Sequence, residues 1–297
     1  MDWKGVLPAI TTPLIDDLSV DHESLAEHCL WMLQSGCTGI VPLGSLGEGA
    51  TLSDAEKVEI LETCVSAVSG RAPVIAAISS LRTDHAAALA REAEKAGCSG
   101  LMVLPPYVYS GDWREMKAHV SAVIAATSLP VMLYNNPVAY GTDFTPEQIS
   151  ELAAEYPNLE AVKESSTDVR RVSGIRALLG DRLAICVGVD DAILEGIGVG
   201  ATGWVAGLVN AFPTESVALF EAGMGGDKKK ADELYRWFLP LLRMDTVPKF
   251  VQLIKLVQQQ VGKGSERVRP PRLQVVGRER EEALTIVRQS LAKRPRL

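Results

Sequence analysis

The chain has 297 residues, of which 47% are hydrophobic and 23% are charged, as in an ordinary globular protein with a large core. The formal net charge of −7 argues against a general nucleic-acid or anionic-membrane binder, because both partners are themselves negatively charged. We expect no secretory signal peptide after Met1, and no stretch of the sequence is long and apolar enough to span a membrane.

Cysteine and histidine usage predicts neither a disulfide framework nor a metal site. The five cysteines are scattered without a CxxC pair, and the four histidines lack the spacing of metal ligands. We therefore expect a protein of a reducing cytoplasm that binds no metal.

Short apolar runs alternate with helical patterns through most of the chain. The runs span residues 5–11, 39–44, 73–79, 100–105, 130–135, 159–165, 183–189 and 200–207. Most of them precede a helical segment, which is the pattern of βα units around a parallel sheet. Capping-box sequences at Ser53–Glu56 and at Thr145–Gln148 indicate two of the helix starts.

These eight units predict an α/β fold, the (β/α)8 TIM barrel, since no GxGxxG motif follows the first run to favour an open doubly wound sheet. From residue 214 onward the strand patterns stop, and four helical segments follow at 214–224, 228–244, 247–261 and 279–294. We therefore predict a catalytic barrel domain over residues 1–223 and a C-terminal helical extension over residues 224–297.

Lys163 stands out because it lies at the end of a core strand. The run before it is apolar at Leu159, Ala161 and Val162, so the ammonium is placed where burial is costly. In a TIM barrel the active site lies at the C-terminal ends of the strands. An amine desolvated there has a lowered pKa and can form a Schiff base with a carbonyl or imine carbon. Taken alone, a lysine in a strand is more often a structural side chain that reaches solvent than a catalytic one.

Tyr134 and the turn 44–48 belong to the same predicted mouth of the barrel. A phenol beside the lysine can transfer protons to and from a carbinolamine, although Tyr134 alone would be assigned to the core. The two residues together at adjacent strand ends favour catalysis. The turn exposes the backbone N–H groups of Ser45 and Leu46, which can hold a carboxylate without a cationic side chain. A plain βα turn is the alternative for this segment.

The seventh run ends in Gly188, and acidic residues follow it. We expect Gly188 to contact the substrate together with Ser45 and Leu46. Asp190, Asp191 and Asn210 also fall near the expected mouth, where helix capping accounts for each of them equally well.

The motifs GSLGE, YNNP and KES, with the order of the eight strands, resemble the dihydrodipicolinate synthase/N-acetylneuraminate lyase family. The resemblance covers nearly the whole chain. It implies a class I Schiff-base lyase, usually a homotetramer, that acts on a small keto or imino acid without a cofactor. It also implies that Lys163 forms the Schiff base, that Tyr134 moves protons and that Ser45 relays protons to Tyr134. Ser45 and Leu46 stand where the family usually has two threonines.

Two departures from the family pattern narrow the expected substrate. Dihydrodipicolinate synthases carry an arginine two residues after the YNxP proline, which binds a second carboxylate, and this chain has Ala139 there. The same enzymes have a tyrosine pair whose second member reaches a neighbouring subunit's site, and that position is Val108 here. We therefore expect no role in lysine biosynthesis and a smaller substrate with one carboxylate, beside an apolar wall at Leu46.

Longer segments are similar to one group within the family, the bacterial Δ1-pyrroline-4-hydroxy-2-carboxylate deaminases of hydroxyproline catabolism. They include YNNPVAYGTDFTPE, GWVAGLVNAFP and RPPRLQVVG. The similarity implies a deaminase that converts this cyclic imino acid and water to 2,5-dioxopentanoate and ammonia. A dehydratase or aldolase of 2-keto-3-deoxy sugar acids, using the same Lys163 and Tyr134, is the alternative within the family. A keto-acid sensor without turnover is the alternative from another class.

Overall fold

The computed structural model describes residues 1–107 and 109–297. Its strands are β1 (Gly5–Pro8), β2 (Ile75–Ile78), β3 (Gly100–Val103), β4 (Val131–Asn135), β5 (Leu159–Glu164), β6 (Ala184–Val187) and β7 (Gly203–Ala206). All seven are parallel and form one sheet in the order β1-β7-β6-β5-β4-β3-β2. Each strand lies within one of the predicted apolar runs, and nearly every strand residue is buried because helices cover the sheet.

The second of the eight apolar runs forms no regular strand, so the prediction was wrong at this point. Pro42 has no N–H to donate to a ladder, and pairing is reduced to an isolated bridge on each side. The segment nevertheless lies between β1 and β2. The N–H of Ile75 donates to the carbonyl of Ile40, and the N–H of Val41 donates to the carbonyl of Pro8, both at 2.8 Å. These bonds join the two edge strands, and the sheet closes as the predicted (β/α)8 barrel.

Helices alternate with the strands around the barrel. They are α1 (His22–Gln34), α2 (Asp54–Val68), α3 (Thr83–Lys95), α4 (Trp113–Ile124), α5 (Pro137–Tyr140), α6 (Pro146–Glu155), α7 (Arg170–Leu179), α8 (Ile193–Gly198) and α9 (Pro213–Met224). Short 3₁₀ helices span Gly49–Thr51, Asp190–Ala192, Leu208–Asn210 and Arg243–Asp245. Both predicted capping boxes are confirmed, at Ser53 and Glu56 before α2 and at Thr145 and Gln148 before α6.

Three further helices follow the barrel: α10 (Lys228–Leu242), α11 (Phe250–Gln260) and α12 (Gly277–Ala292). Phe238 of α10 and Ile254 of α11 are fully buried and belong to the same hydrophobic cluster as Leu7 of β1. The predicted boundary between residues 223 and 224 stays a prediction, and it falls at the end of α9. In the described part of the chain, no helix is long and apolar enough to cross a membrane.

Candidate active site

Lys163 and Tyr134 lie side by side near the carboxyl ends of their strands. β4 and β5 pair in a register that places Tyr134 opposite Lys163. The Lys163 amine nitrogen lies 4.2 Å from the centre of the Tyr134 ring. Lys163 is 6% exposed and Tyr134 is 4% exposed. The hydrogen-bonded ladder therefore holds an amine against a phenol inside the barrel mouth.

The Lys163 amine can lose its proton close to neutral pH. Burial lowers its pKa from an ordinary 10.5 to about 8, while negative charge on Asp245 and then on Asp190 limits the fall. Among the residues that the structure describes, none forms a hydrogen bond with this amine. A neutral amine with a free lone pair is the form that attacks an electrophilic carbon.

The expected relay from Ser45 to Tyr134 stays a prediction, and a hydrogen bond with Ser45 is among the contacts that lower the pKa of Tyr134. The Tyr134 hydroxyl accepts a hydrogen bond from the Asn136 side-chain amide at 2.9 Å, and burial raises the pKa of Tyr134 so that it keeps its proton. The closest partner of the Ser45 hydroxyl is the hydroxyl of Tyr140 in α5, and not that of Tyr134. The Tyr140 ring meets the Tyr134 ring edge-on, with centroids 5.9 Å apart. A second phenol, close to the predicted one, thus belongs to the site.

The turn 44–48 presents two backbone amides. In the part of the chain that the structure describes, the N–H groups of Ser45 and Leu46 have no acceptor. The Leu46 side chain is 3% exposed, so it packs into the core and leaves only its backbone for polar contacts. Gly49 allows the chain to fold back here, since a Cβ on it would lie 2.1 Å from the Leu43 carbonyl oxygen. The geometry agrees with a carboxylate site, which stays a prediction.

A buried ion pair from the C-terminal helices fixes this turn. The Lys255 Nζ of α11 lies 2.5 Å from Glu48 Oε1, and both side chains are only 2% exposed. The second Glu48 oxygen accepts a hydrogen bond from the backbone N–H of Arg269 at 2.9 Å. Glu48 itself has a left-handed backbone with φ of 57°, a conformation that costs energy outside glycine and persists when its surroundings hold it.

Gly188 borders the site for a steric reason. It follows β6, and a Cβ on it would lie 2.5 Å from Lys163 Cε and 2.0 Å from the Ser165 hydroxyl. Any larger residue would therefore displace the amine. The Ser165 hydroxyl is buried beside Lys163 and close enough to Tyr134 to lower the pKa of that phenol.

Asp190 and Asn210 have structural partners. The Asp190 carboxylate accepts a hydrogen bond from the N–H of Leu208 at 2.7 Å, which caps the 3₁₀ helix after β7. Burial raises the pKa of Asp190 to about 6. Asn210 accepts from the N–H of Thr11 at 3.1 Å and donates to the carbonyl of Ala9 at 2.9 Å. It therefore ties the end of β7 to the end of β1.

Of the two positions that depart from the family pattern, the structure describes one. Ala139 is exposed on α5 and brings no charge to the mouth. Val108 lies outside the described residues. Tyr107, which precedes it, places its ring 5.6 Å from that of Tyr140.

The sequence did not indicate two residues of the site, Tyr140 and Asp245. Tyr140 stands only six residues after Tyr134 in the segment YNNPVAYG. This short separation could have indicated that Tyr140 lies at the barrel mouth beside Tyr134. Asp245 lies in the C-terminal extension, and no local pattern indicates that its charge acts on Lys163.

Known proteins resemble this chain along its whole length. The model of the Dihydrodipicolinate synthetase family matches residues 2–290. The 4-hydroxy-tetrahydrodipicolinate synthase of Methanopyrus kandleri is 33% identical, over 98% of this chain and 96% of that protein. The protein of the same name from Agrobacterium fabrum is 34% identical, over 91% and 92%.

Solved structures give the same result. Dihydrodipicolinate synthase DapA-2 from Bacillus anthracis superposes with a TM-score of 0.93 at 27% identity, over 100% of both chains. YagE, a prophage protein of the dihydrodipicolinic acid synthase family from E. coli K12 in complex with pyruvate, superposes with a TM-score of 0.91 at 26% identity, over 97% of this chain and 99% of that chain.

A barrel with a buried lysine and a tyrosine at adjacent strand ends is the arrangement of a class I Schiff-base lyase. The chain belongs to the dihydrodipicolinate synthetase family. The predicted family, (β/α)8 fold and enzyme class are thereby confirmed.

Proposed function

We propose that this enzyme is a Δ1-pyrroline-4-hydroxy-2-carboxylate deaminase, which converts that cyclic imino acid and water to 2,5-dioxopentanoate and ammonia. The observation that carries the proposal is the buried amine of Lys163 over the Tyr134 ring, beside a turn whose free amides suit a single carboxylate. Segments such as YNNPVAYGTDFTPE support this substrate over others of the family.

The first half of the reaction uses the amine and the phenol. Lys163 attacks C2 of the cyclic imine, and the ring nitrogen leaves, so that the ring opens and the substrate is held as a protonated Schiff base. Tyr134, or a water that it positions, removes a proton from C3. The resulting enamine expels the C4 hydroxyl, and the C2=N iminium re-forms.

The second half releases both products. Tautomerisation moves the double bond until C5 carries an imine, which one water hydrolyses to an aldehyde and ammonia. Another water hydrolyses the iminium at C2, which frees Lys163 and yields the keto group. One water leaves from C4 and two are consumed, so the net reaction takes up one water. The protonated imine is the electron sink, and the chemistry therefore requires no metal or organic cofactor.

A substrate with one carboxylate suits the charges around the mouth. The free amides of Ser45 and Leu46 suit that group, whereas Ala139 supplies no guanidinium for a second one. The Arg272 guanidinium lies 3.9 Å from the Glu48 carboxylate. Glu48 therefore already neutralises part of the positive charge of Arg272. A second carboxylate would find no guanidinium at the position of Ala139 to form a charge-assisted hydrogen bond. We therefore infer an activity different from the one that gives the synthase relatives their name.

Keto-deoxy sugar acids are the second candidate substrates, with a dehydratase or aldolase reaction. A polyol chain needs hydroxyl and amide donors along the mouth. Leu46 and Ala139 supply none from their side chains, which counts against this alternative.

A coupled assay tests the proposed function directly. Purified wild-type enzyme should release ammonia and 2,5-dioxopentanoate in equal amounts from the cyclic imino acid, and Lys163→Met should release neither. Lys95→Met is the matched control, because the Lys95 side chain on α3 is 70% exposed and should not affect turnover. No ammonia from the wild type would disprove the substrate, and equal turnover by Lys163→Met would disprove the mechanism.

We also infer a cytoplasmic homotetramer with a barrel domain over residues 1–223 and a helical extension over residues 224–297, since the family resemblance implies the assembly. Sedimentation analysis should give the mass of four chains. A monomer at micromolar concentration would contradict this part of the proposal.

A further inference from the structure

Asp245 brings a carboxylate from the C-terminal helices to the barrel mouth. It ends the 3₁₀ helix Arg243–Asp245, which joins α10 to α11. Its side chain lies over the backbone of Gly207, since a Cβ on that glycine would be 2.1 Å from Asp245 Oδ1 and 3.1 Å from Oδ2. Gly207 immediately follows β7, so the carboxylate lies at the carboxyl end of the barrel.

The Asp245 carboxylate has no direct partner within the described ranges 1–107 and 109–297. No hydrogen bond contributes to its titration, which burial and neighbouring charges determine. The N–H of Gly207 donates to Asp190 instead, at 3.1 Å. Arg243, in the same turn, pairs with Asp191 at 3.6 Å. The carboxylate of Asp245 is therefore not committed to a structural contact with the described residues.

Asp245 and Tyr134 lie on opposite sides of Lys163. In the order of the sheet, Tyr134 is on β4, next to the β5 strand of Lys163, whereas β6 and β7 follow on the other side. Among the acidic groups that raise the pKa of the Lys163 amine, Asp245 acts most strongly, ahead of Asp190 and Cys186. The charge of Asp245 also acts on the pKa of Tyr134, so the carboxylate lies close enough to affect both residues.

We propose that Asp245 is the second acid of this active site and that it protonates the C4 oxygen of the substrate as the C4–O bond breaks. This inference rests on the proposed function, which supplies the leaving hydroxyl. In that step the Lys163 nitrogen lone pair re-forms the C2=N iminium, and the C2=C3 electron pair becomes the C3=C4 bond. The Asp245 proton joins the departing oxygen, so that water leaves and a carboxylate remains.

The charges around Asp245 suit this role. Burial and the Asp190 carboxylate raise the pKa of Asp245 well above its ordinary value, Asp191 adds to the rise, and Lys163 opposes it. A protonated Lys163 amine favours the carboxylate form of Asp245, whereas the neutral nitrogen of the enamine does not, so Asp245 can hold a proton at the enamine stage. As hydroxide leaves, positive charge returns to the Lys163 nitrogen and favours the carboxylate form of Asp245, so the proton is released when it is needed.

The test compares Asp245→Asn with Asp181→Asn, which removes an equal charge from a fully exposed side chain in the turn before β6. In Asp245→Asn, the pH midpoint for trapping pyruvate on Lys163 with borohydride should fall, because the ionised carboxylate that raises the pKa of the free amine is lost. Ammonia release from the imino acid should fall roughly 10²-fold or more. Hydrogen exchange at C3 of bound pyruvate should remain close to wild type, since pyruvate has no C4 oxygen. Asp181→Asn should change none of the three.

The outcomes separate this inference from the proposed function. An unchanged trapping midpoint in Asp245→Asn would overturn the inference, whatever the wild type does with the imino acid. If Asp245→Asn lost hydrogen exchange at C3 of pyruvate as severely as ammonia release, the inference would also be overturned. That result would indicate that Asp245 is a purely structural residue. A wild type that releases no ammonia would overturn the proposed substrate and, with it, the role of Asp245 at C4. The pH midpoint for trapping pyruvate on Lys163 would still decide whether Asp245 faces Lys163.

Discussion

Tyr134 and Lys163 are register partners on neighbouring parallel strands, and the amine lies 4.2 Å from the centre of the phenol ring. Because one ladder positions both residues, their separation does not depend on the closure of a loop. The burial that they share lowers the pKa of the amine and raises the pKa of the phenol. A nucleophile that can be neutral therefore lies beside a group that keeps its proton, as Schiff-base formation requires.

Trapping at Lys163 should follow the titration of a depressed amine. Since only the neutral amine attacks, the yield of pyruvate adduct after borohydride reduction should rise with pH around a midpoint near 8, well below the ordinary 10.5. Peptide mapping by mass spectrometry at each pH measures the site and the yield. An adduct on another lysine, or a midpoint near that of a free lysine, would contradict the assignment.

Tyr134→Phe should form the Schiff base and lose turnover. Removal of one general acid–base group typically lowers the rate by roughly 10²–10⁴-fold. Tyr109→Phe is a matched control, because Tyr109 is 61% exposed and its hydroxyl donates to Glu115 at the surface. Single-turnover kinetics with borohydride trapping separates the two steps. Turnover of Tyr134→Phe close to wild type would show that another group moves the protons.

The effects of Ser45→Ala and Tyr140→Phe on kcat/KM should not be additive. Their hydroxyls form a single contact, so each variant should lower kcat/KM by about tenfold, which corresponds to ~1.4 kcal/mol for one hydrogen bond. The double variant should be no worse than either single variant. Independent effects that multiply to about 100-fold would show that the two hydroxyls act separately.

The Glu48–Lys255 pair should support both the fold and the turn 44–48. Lys255→Met leaves a buried carboxylate without its cation and should lower the free energy of unfolding by roughly 3–5 kcal/mol. Glu48→Met combined with Lys255→Met should recover part of this loss. Lys249→Met, which breaks a pair with side chains 52% and 44% exposed, should cost at most about 1 kcal/mol. Urea unfolding measures all of them, and equal costs for the two lysine variants would contradict the account.

The sequence alone located the site residues whose surroundings are set by the residues next to them in the chain. Lys163 and Tyr134 end short apolar runs, and parallel strands bring such ends together. The run that contains Pro42 was misread as a regular strand, because its apolar residues outweighed the missing N–H in the pattern. The contacts of Ser45 with Tyr140 and of Glu48 with Lys255 join positions 95 and 207 residues apart, and no local periodicity reports such distances.

Substrate competition tests the central claim most directly. With wild-type enzyme under one set of conditions, kcat/KM should be measured for Δ1-pyrroline-4-hydroxy-2-carboxylate, for a 2-keto-3-deoxy sugar acid, and for pyruvate with aspartate semialdehyde. We predict ammonia release from the cyclic imino acid with a kcat/KM at least ~10²-fold above that for the sugar acid, a difference of ~2.7 kcal/mol in transition-state binding. We also predict no useful condensation of pyruvate with the semialdehyde, because Ala139 leaves a second carboxylate without a partner. Comparable rates on the sugar acid, efficient condensation, or no ammonia would contradict the assignment.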